Sequence, residues 1–533
     1  MLQKLWTHKS WLAFFSAFSL VLAYAPIHWV VLSLFLPFFL CLLIFQCQGF
    51  WQGFRWGFLQ SFFIMLGGFY WVIYVIKVFG FLPWSISFLL YLGFCGFGAL
   101  NFPLFTAIAA ELHRRLQQSS LPRYWGSLWF SIGLPTLFIF FEWAIPKLFP
   151  WYIGHAWYRF PILIQITEIT GSLFLSFAMC SLSFVAAGYF FQKESPWRVE
   201  KWAWAIPSTL WATILVFGCY RWFGPGPDGR EFRVALIQAN IGSLDRLGAA
   251  QGIGGKVRHV ISTYERLTEE ALNSSEKPDL ILWPETAMPF QLEGPSQYAK
   301  EIREKVIGWG VPLITGAYAQ SPYHFDRDFN AAFLLEPNTQ GALPLKLSIA
   351  PKNVLLAFGE YMPLGDTFPK LYEWFPQVSN FEMGRTHSAF QLSDDTRLGV
   401  TICYEAILPT FVRRVAQLKA HALINLTNDS WFGPTSEPYQ HAQLSVFRAV
   451  ETRMPLIRVT NTGTSFTVDT LGRMGPQSAI EQEAVVSSKL RLPKEPPQTF
   501  YVRFGEWFLS LCLSFLGLLT VIALRKSHAP ISR

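Results

Sequence analysis

The sequence predicts two kinds of structure in one chain: a polytopic α-helical membrane domain of eight spans, and a layered α/β domain placed before the last span. Three observations predict it. The 533 residues are 52% hydrophobic and only 15% charged, with a mean hydropathy of +0.29, which is more apolar than a soluble protein of this size. Long apolar stretches crowd the first part of the chain and recur once at its end. Between them, from residue 222 on, short apolar runs alternate with segments of helical spacing, the pattern of a layered α/β domain.

About 20 apolar residues cross a bilayer, which sets the spans at 10–24, 29–46, 56–79, 84–110, 127–145, 162–191 and 203–221, with an eighth at 505–524. The first is short, yet no small-residue cleavage site precedes the next span, so it reads as a retained anchor and not a signal peptide. Cations set the orientation. Lys4, Lys9, Arg55, the loops ELHRRLQQSSLPRYW and QKESPWRVEK and the tail LRKSHAPISR fall on one side, while the alternate loops hold few, such as Lys147 and Arg159. Both termini are therefore expected in the cytoplasm. The expected domains are a seven-span domain at 1–221, an outward-facing catalytic domain at 222–504, and the eighth span with its tail at 505–533. The net charge of +8 comes from scattered loop cations and not from one basic stripe, which argues for membrane orientation and against nucleic acid as a partner. Glu142 falls inside a span, where an acid is costly; the preferred reading is a structural hydrogen bond.

After the turn-rich linker RWFGPGPDGREF, FRVALIQANI reads as a buried strand, VRHVISTYERLTEEALNS as a helix, and PDLILWPETAMP as strand then loop. SQYAKEIREKVIGWG is a second helix, followed by strands in VPLITGAYA, NAAFLLEP and LPLKLSIAPKNVLLAFGEYMP. RLGVTICYEAILPTFVRRVAQLKA reads as a strand, a sharp turn and a helix. HALINLTND is a strand, YQHAQLSVFRAVETRMP a helix, and LIRVTNTGTSFTVDTLGRMG a closing hairpin.

Three strand-to-loop junctions carry reactive side chains: Glu285 after LILWP, Lys352 in SIAPKN and Cys403 after GVTI. Such junctions are where α/β folds collect catalytic groups. Cys41, Cys47, Cys95, Cys180, Cys219 and Cys512 lie in apolar, membrane-type segments, so Cys403 is the one cysteine of the outer domain. A thiol without a partner in an oxidising compartment is a candidate nucleophile. A carboxylate within reach would take its proton, and a lysine would stabilise the thiolate and then the oxyanion of a tetrahedral intermediate. The Tyr404 backbone N–H is a further candidate oxyanion donor. With no CxxC or Cys/His cluster, a structural zinc site is not expected.

The motifs WPET, PKN…FGEYMP and CYE resemble the Glu–Lys–Cys signature of the nitrilase, or carbon–nitrogen hydrolase, superfamily. Seven preceding spans and one following span narrow the resemblance to the bacterial apolipoprotein N-acyltransferases, which NLTNDSWFG, QHAQLSVFRAVETRMPLIRVTNTG and FPWYIGHAWYRFP also resemble. The resemblance implies an αββα sandwich for the outer domain, Glu285 as general base, Lys352 as transition-state stabiliser and Cys403 as nucleophile. It implies Glu360 as a second acid near the lysine, with Tyr404 and Glu405 in support. It also implies an acyl donor, a membrane phospholipid, whose acyl group passes to Cys403 as a thioester. The α-amine of an apolipoprotein's S-diacylglyceryl cysteine then attacks this thioester. No cofactor, ATP or metal is implied. The implied location is the bacterial inner membrane, with the catalytic domain facing the periplasm. Two departures from the family pattern stand out. QANIGSLDRLGAAQG lacks the tryptophan common in the family, so its role is vacant or filled by a residue such as Leu244 or Leu247, and FEWAIPK has Ile145 where an arginine is common.

Other residues carry weaker expectations. Asn330 and Asn428 are read as orienting loops around bound substrate. Trp374 and Phe375, in the aromatic stretch FPKLYEWFPQVSNFEMG (368–384), are read as part of a lid that admits acyl chains. His441 is read as a satisfied helix histidine. The rival functions are a membrane-anchored amidase and a non-enzymatic transporter or scaffold; oligomeric state is left open.

Overall fold

A computed structural model describes residues 8–118, 122–191, 199–226, 228–337, 345–376 and 378–527. It divides into two units. The first comprises Met1–Ile73, Pro83–Gly224 and Phe504–Arg533, the second Tyr74–Leu82 and Pro225–Arg503.

The first unit is helical. Tyr124–Ala144, Leu173–Phe191 and Lys201–Phe223 are long and apolar enough to cross a membrane. Phe50–Gly68 with Val72–Phe79, whose residues from Tyr74 on belong to the second unit, and Trp84–Gly98 with Pro103–Gln117, are pairs interrupted by a bend; counting each as one span gives five. The other predicted spans form the shorter apolar helices Lys9–Ala23, Val30–Phe45 and Trp507–Val521. The expected eight thus become three to five by length and composition among the described residues, because turns and bends divide the apolar stretches. The predicted span 162–191 keeps its place in the count through Leu173–Phe191, but its first part is divided off. It begins as single turns at Pro161–Ile164 and Thr167–Thr170, and the longer helix starts only after Gly171, whose φ of +72° ends the second turn.

Helix Phe50–Gly68 packs against Pro103–Gln117 through Gly53 and Gly57, where a Cβ would overlap Thr106 and, at Gly53, the Ala107 backbone. Small residues four apart let two helix backbones approach closely. Glu142 is buried, and its Oε1 accepts from the Ile153 N–H at 2.7 Å. Lys147 Nζ donates to the carbonyls of Glu142 at 2.8 Å and Trp151 at 2.9 Å. This acid ties a helix end to the loop that follows, the hydrogen-bonding role expected of it.

Thirteen strands form two sheets in the second unit, among the described residues. In chain order they are β1 (Gly229–Gln238), β2 (Leu280–Leu282), β3 (Met288–Gln291), β4 (Leu313–Gln320), β5 (Asp328–Pro337), β6 (Leu345–Pro351), β7 (Ala389–Gln391), β8 (Arg397–Ile402), β9 (Ala422–Thr427), β10 (Leu456–Thr460), β11 (Phe466–Val468), β12 (Met474–Gln477) and β13 (Ala484–Pro493). One sheet runs β13-β1-β2-β4-β5-β6, with β3 paired to β4; the other runs β12-β11-β10-β9-β8-β7. Leu236, Leu282, Ile314 and Leu334 of the first share a core with Val400, Ile402, Ile424 and Val459 of the second, so the sheets pack face to face. The far side of the first sheet, with Ile281 and Trp283, is covered by helices Gly254–Leu272 and Gln297–Trp309. On the second sheet, helix Pro409–Ala416 packs on β8 so closely that a Cβ at Gly399 would overlap Val415. The layers are α, β, β, α. Residues 74–82 group with this unit because Phe79 lies 4.5 Å from the Trp431 ring and Tyr74 packs on Gly433.

Candidate active site

Glu285, Lys352 and Cys403 sit at the ends of β2, β6 and β8, and the fold brings them together. Trp283 is fully buried, and its indole donates to Thr268 Oγ1 at 2.9 Å, which anchors the segment before Glu285. Beside that segment, the Gly316 N–H donates to the Pro284 carbonyl at 3.0 Å. A Cβ on Gly316 would overlap the Thr286 nitrogen, so only glycine allows this approach.

Lys352 Nζ lies 2.9 Å from Glu285 Oε1 and 2.7 Å from Glu360 Oε2, all three groups being largely buried. Asn330 Nδ2 donates to Oε1 of both Glu285 and Glu360, each at 2.7 Å. Asn330 therefore bridges the two carboxylates. Burial alone would lower the Lys352 ammonium, but Glu285 and Glu360 outweigh it and hold the group well above its ordinary value. Lys352 stays charged at neutral pH.

Cys403 follows β8 at φ +52° and opens a one-turn helix, Cys403–Ile407. Non-glycine residues rarely adopt this conformation, and it presents the side chain at a sharp strand-to-turn corner. Burial, then the Glu285 charge, pushes the thiol well above its ordinary value, and Lys352 opposes them. The resting thiol is neutral at pH 7 and needs a base.

Glu405 secures the turn. Its Oε2 accepts from the Ile402 N–H at 2.8 Å, and its Oε1 from Asn353 N at 2.6 Å and Val354 N at 3.0 Å. The corner bearing Cys403 is thus tied to the loop bearing Lys352. Tyr404 packs on the core between the sheets, and burial pushes its phenol up to about 12. Burial also pushes the Glu405 carboxyl up to about 7 from an ordinary 4.5. Between these values the folded state keeps a proton that the unfolded state has lost. Stability from this group therefore falls as pH rises through that window, about tenfold in the folding constant per pH unit, and levels off above it. Glu405→Gln lacks this slope and offers one acceptor where two worked. Melting curves from pH 5 to 8 should show the variant gaining on wild type up to about pH 7 and no further, with turnover at this site reduced about tenfold or more throughout.

Asn428 is buried and its Oδ1 accepts from Ser430 N at 3.3 Å and Asn461 Nδ2 at 3.4 Å, a loop-holding position. With Glu285, Thr286 and Asn461 it lines a small cavity. Trp374 (68% exposed) and Phe375 (43%) end a short helix, Lys370–Trp374. The stretch they belong to returns to the site through Ser379 N and Phe381 N, which donate to the carbonyls of Gly359 and Glu360. The side chains of Leu244 and Leu247 lie outside the described residues.

Asp429, Glu437 and His441 place three potential ligand atoms within 4.8 Å of one another, fully buried. Arg458 Nη2 already lies 3.0 Å from Asp429 Oδ2, and His441 Nδ1 3.1 Å from Asp429 Oδ1. Arg458 supplies at Asp429 the positive charge that a cation would bring, and His441 has the partner expected of it, while Glu437 Oε1 lies 3.6 Å from His441 Nδ1. Sequence reasoning did not single out Asn425 and Arg458; their signal was a polar residue at alternate positions of otherwise apolar strands.

A thiol at a strand-end corner, joined by a lysine clamped between two carboxylates in a sandwich of two sheets, defines a carbon–nitrogen hydrolase-type domain. Residues 233–494 match the family model described as carbon-nitrogen hydrolase, and residues 16–185 the apolipoprotein N-acyltransferase N-terminal domain. The chain is 33% identical over 486 residues to apolipoprotein N-acyltransferase of Bdellovibrio bacteriovorus, covering 88% of this chain and 85% of that one. It is 30% identical over 489 residues to the Geobacter metallireducens protein of the same name, covering 89% and 88%. A solved carbon–nitrogen hydrolase from Helicobacter pylori aligns at 19% identity and a TM-score of 0.36, over 53% of this chain and 95% of that one. The chain belongs to the apolipoprotein N-acyltransferase family.

Proposed function

We propose that the chain is the N-acyltransferase that completes lipoprotein acylation, with Cys403 carrying the acyl group. The observation that carries the reading is the Lys352 ammonium held between Glu285 and Glu360, beside a neutral thiol that both Glu285 and Lys352 act on electrostatically. Glu285 takes the Cys403 proton as sulfur attacks a phospholipid ester carbonyl. Lys352 stabilises the oxyanion of the tetrahedral intermediate. Collapse expels the lysophospholipid alkoxide, which takes the proton back from Glu285, and leaves a thioester on Cys403. The neutral α-amine of the apolipoprotein's diacylglyceryl cysteine then attacks, Glu285 accepts its proton, and collapse forms the amide and expels the Cys403 thiolate, which takes that proton from Glu285 to restore thiol and base. Covalent catalysis splits one difficult transfer into two accessible steps.

In this reading the apolar helices of the first unit and the last helix make up eight membrane passages, short ones included. The termini are cytoplasmic and the sandwich faces the periplasm. The domains fall at 1–221, 222–504 and 505–533.

Intact-mass analysis of the purified chain with phospholipid vesicles tests the chemistry. Wild type should gain one hydroxylamine-sensitive acyl group, Cys403→Ser should gain none, and a diacylated cysteine peptide should discharge the adduct. Rapid discharge by water alone would favour the amidase. The aromatic stretch around Trp374 and Phe375 serves as the acyl-chain lid. Trp374→Glu with Phe375→Glu should slow acylation by long-chain phospholipid about tenfold or more and leave a short-chain soluble ester little affected. Equal rates for both donors in wild type and variant would remove the lid role.

A further inference from the structure

Behind the Cys403 corner lies a buried polar network that the acyl-transfer steps do not use. Cys403 sits at φ +52°, so its backbone needs holding on both sides. Glu405 binds the N–H of the preceding residue, Ile402. The Cys403 carbonyl accepts from Asn425 Nδ2 at 3.2 Å, across from β9. An asparagine amide can turn over end for end, and only its partners decide which atom points where. Here Arg458 Nη1, at 2.6 Å, and Thr427 Oγ1, at 2.8 Å, both donate to Asn425 Oδ1. The amide nitrogen must therefore face Cys403.

Arg458 lies on β10, next to β9, and is fully buried. A guanidinium there is costly unless it is paired, and Asp429 pairs it at 3.0 Å. His441 Nδ1 holds the other Asp429 oxygen at 3.1 Å. Gly463 closes over Asp429, where a Cβ would overlap the carboxylate. Asn425, Asp429, His441 and Arg458 are each at most 2% exposed. A chain of hydrogen bonds thus runs from His441 to Asp429, from Asp429 to Arg458, and from Arg458 through Asn425 to the nucleophile's own carbonyl.

We propose that Arg458 and Asn425 are positioning residues for the nucleophile: Arg458 orients the Asn425 amide, and that amide holds Cys403 in its left-handed corner. The proposal rests on the reading of Cys403 as the acyl-carrying group. Both residues are fully buried, so each acts on the rate of acylation and not on donor binding.

The test is a double-mutant cycle on the full-length protein, with phospholipid vesicles as donor and hydroxylamine-sensitive adduct as readout. Arg458→Met and Asn425→Leu should each slow acylation at saturating donor by a hundredfold or more, with half-saturation moved less than twofold. The double variant should be no slower than the slower single, because both changes break one chain. Asn425→Asp guards against simple misfolding. It keeps the volume and the acceptor for Arg458, puts an oxygen where the donor faced Cys403, and should lose as much rate while melting within a few degrees of wild type. Losses that multiply in the double variant, or an Asn425→Asp rate within threefold of wild type, would overturn the positioning role while the acyl-transfer reading stands. A wild type that forms no adduct would overturn both.

Discussion

Lys352→Met should abolish thioester formation and lower the melting temperature in the same protein. The ammonium is the counter-charge for Glu285 and Glu360, at 2.9 and 2.7 Å. Removing one partner of a buried pair costs about 3–5 kcal/mol, because the other charge is left unpaired in a poor solvent. Here two carboxylates are left. The triple variant Glu285→Gln, Lys352→Met, Glu360→Gln removes all three charges together and keeps an amide oxygen at each acid for Asn330. It should recover most of the melting temperature and none of the acylation. Separating stability from activity in this way shows that the charges serve the chemistry. A triple variant that still forms thioester would remove Lys352 from the mechanism.

Glu285→Gln should leave the fold intact, since a glutamine oxygen can accept from both Asn330 and Lys352. Acylation should fall about 10²–10⁴-fold, the range general-base catalysis supplies. Half-saturation by donor should change little. The thiol gives a second, independent readout. After burial, the Glu285 charge contributes most to raising the Cys403 thiol, while Lys352 lowers it. Removing the carboxylate charge should move the pH midpoint of Cys403 alkylation down, and removing the ammonium should move it up. Glu285→Gln would then hold more thiolate than wild type and still acylate more slowly. That combination identifies a lost base and not a lost nucleophile. Midpoints that move together, or not at all, would show that these groups do not share one site in solution.

Much of the fold was legible in the sequence because burial leaves a period. The strands β1, β4, β8 and β9 are short apolar runs between turn signals, and the helices at 254–272, 297–309 and 437–452 carry apolar residues at helical spacing. The strand β13 escaped attention. Its AVVSSKLRLP alternates apolar and polar residues because it is an edge strand, yet it pairs with β1 along ten residues, from Gly229 with Pro493 to Gln238 with Ala484. Helix lengths in the first unit also differed from expectation. Apolar composition measures how much chain prefers lipid or core, but a local break such as Gly171 decides whether it runs as one helix.

The sequence by itself named the groups proposed to carry the chemistry, one outer-domain thiol and an acid and a lysine at the ends of apolar runs, because nucleophile, base and counter-charge demand particular side chains. Only the tertiary structure decided how they are held. Asn330 became the bridge between two carboxylates, Glu405 the tie between the Cys403 corner and the Lys352 loop, and Arg458 the residue that orients Asn425. Those roles rest on hydrogen bonds between residues up to 52 positions apart. A bond of about 3 Å depends on how strands align across two sheets, and no local pattern in the chain records that alignment.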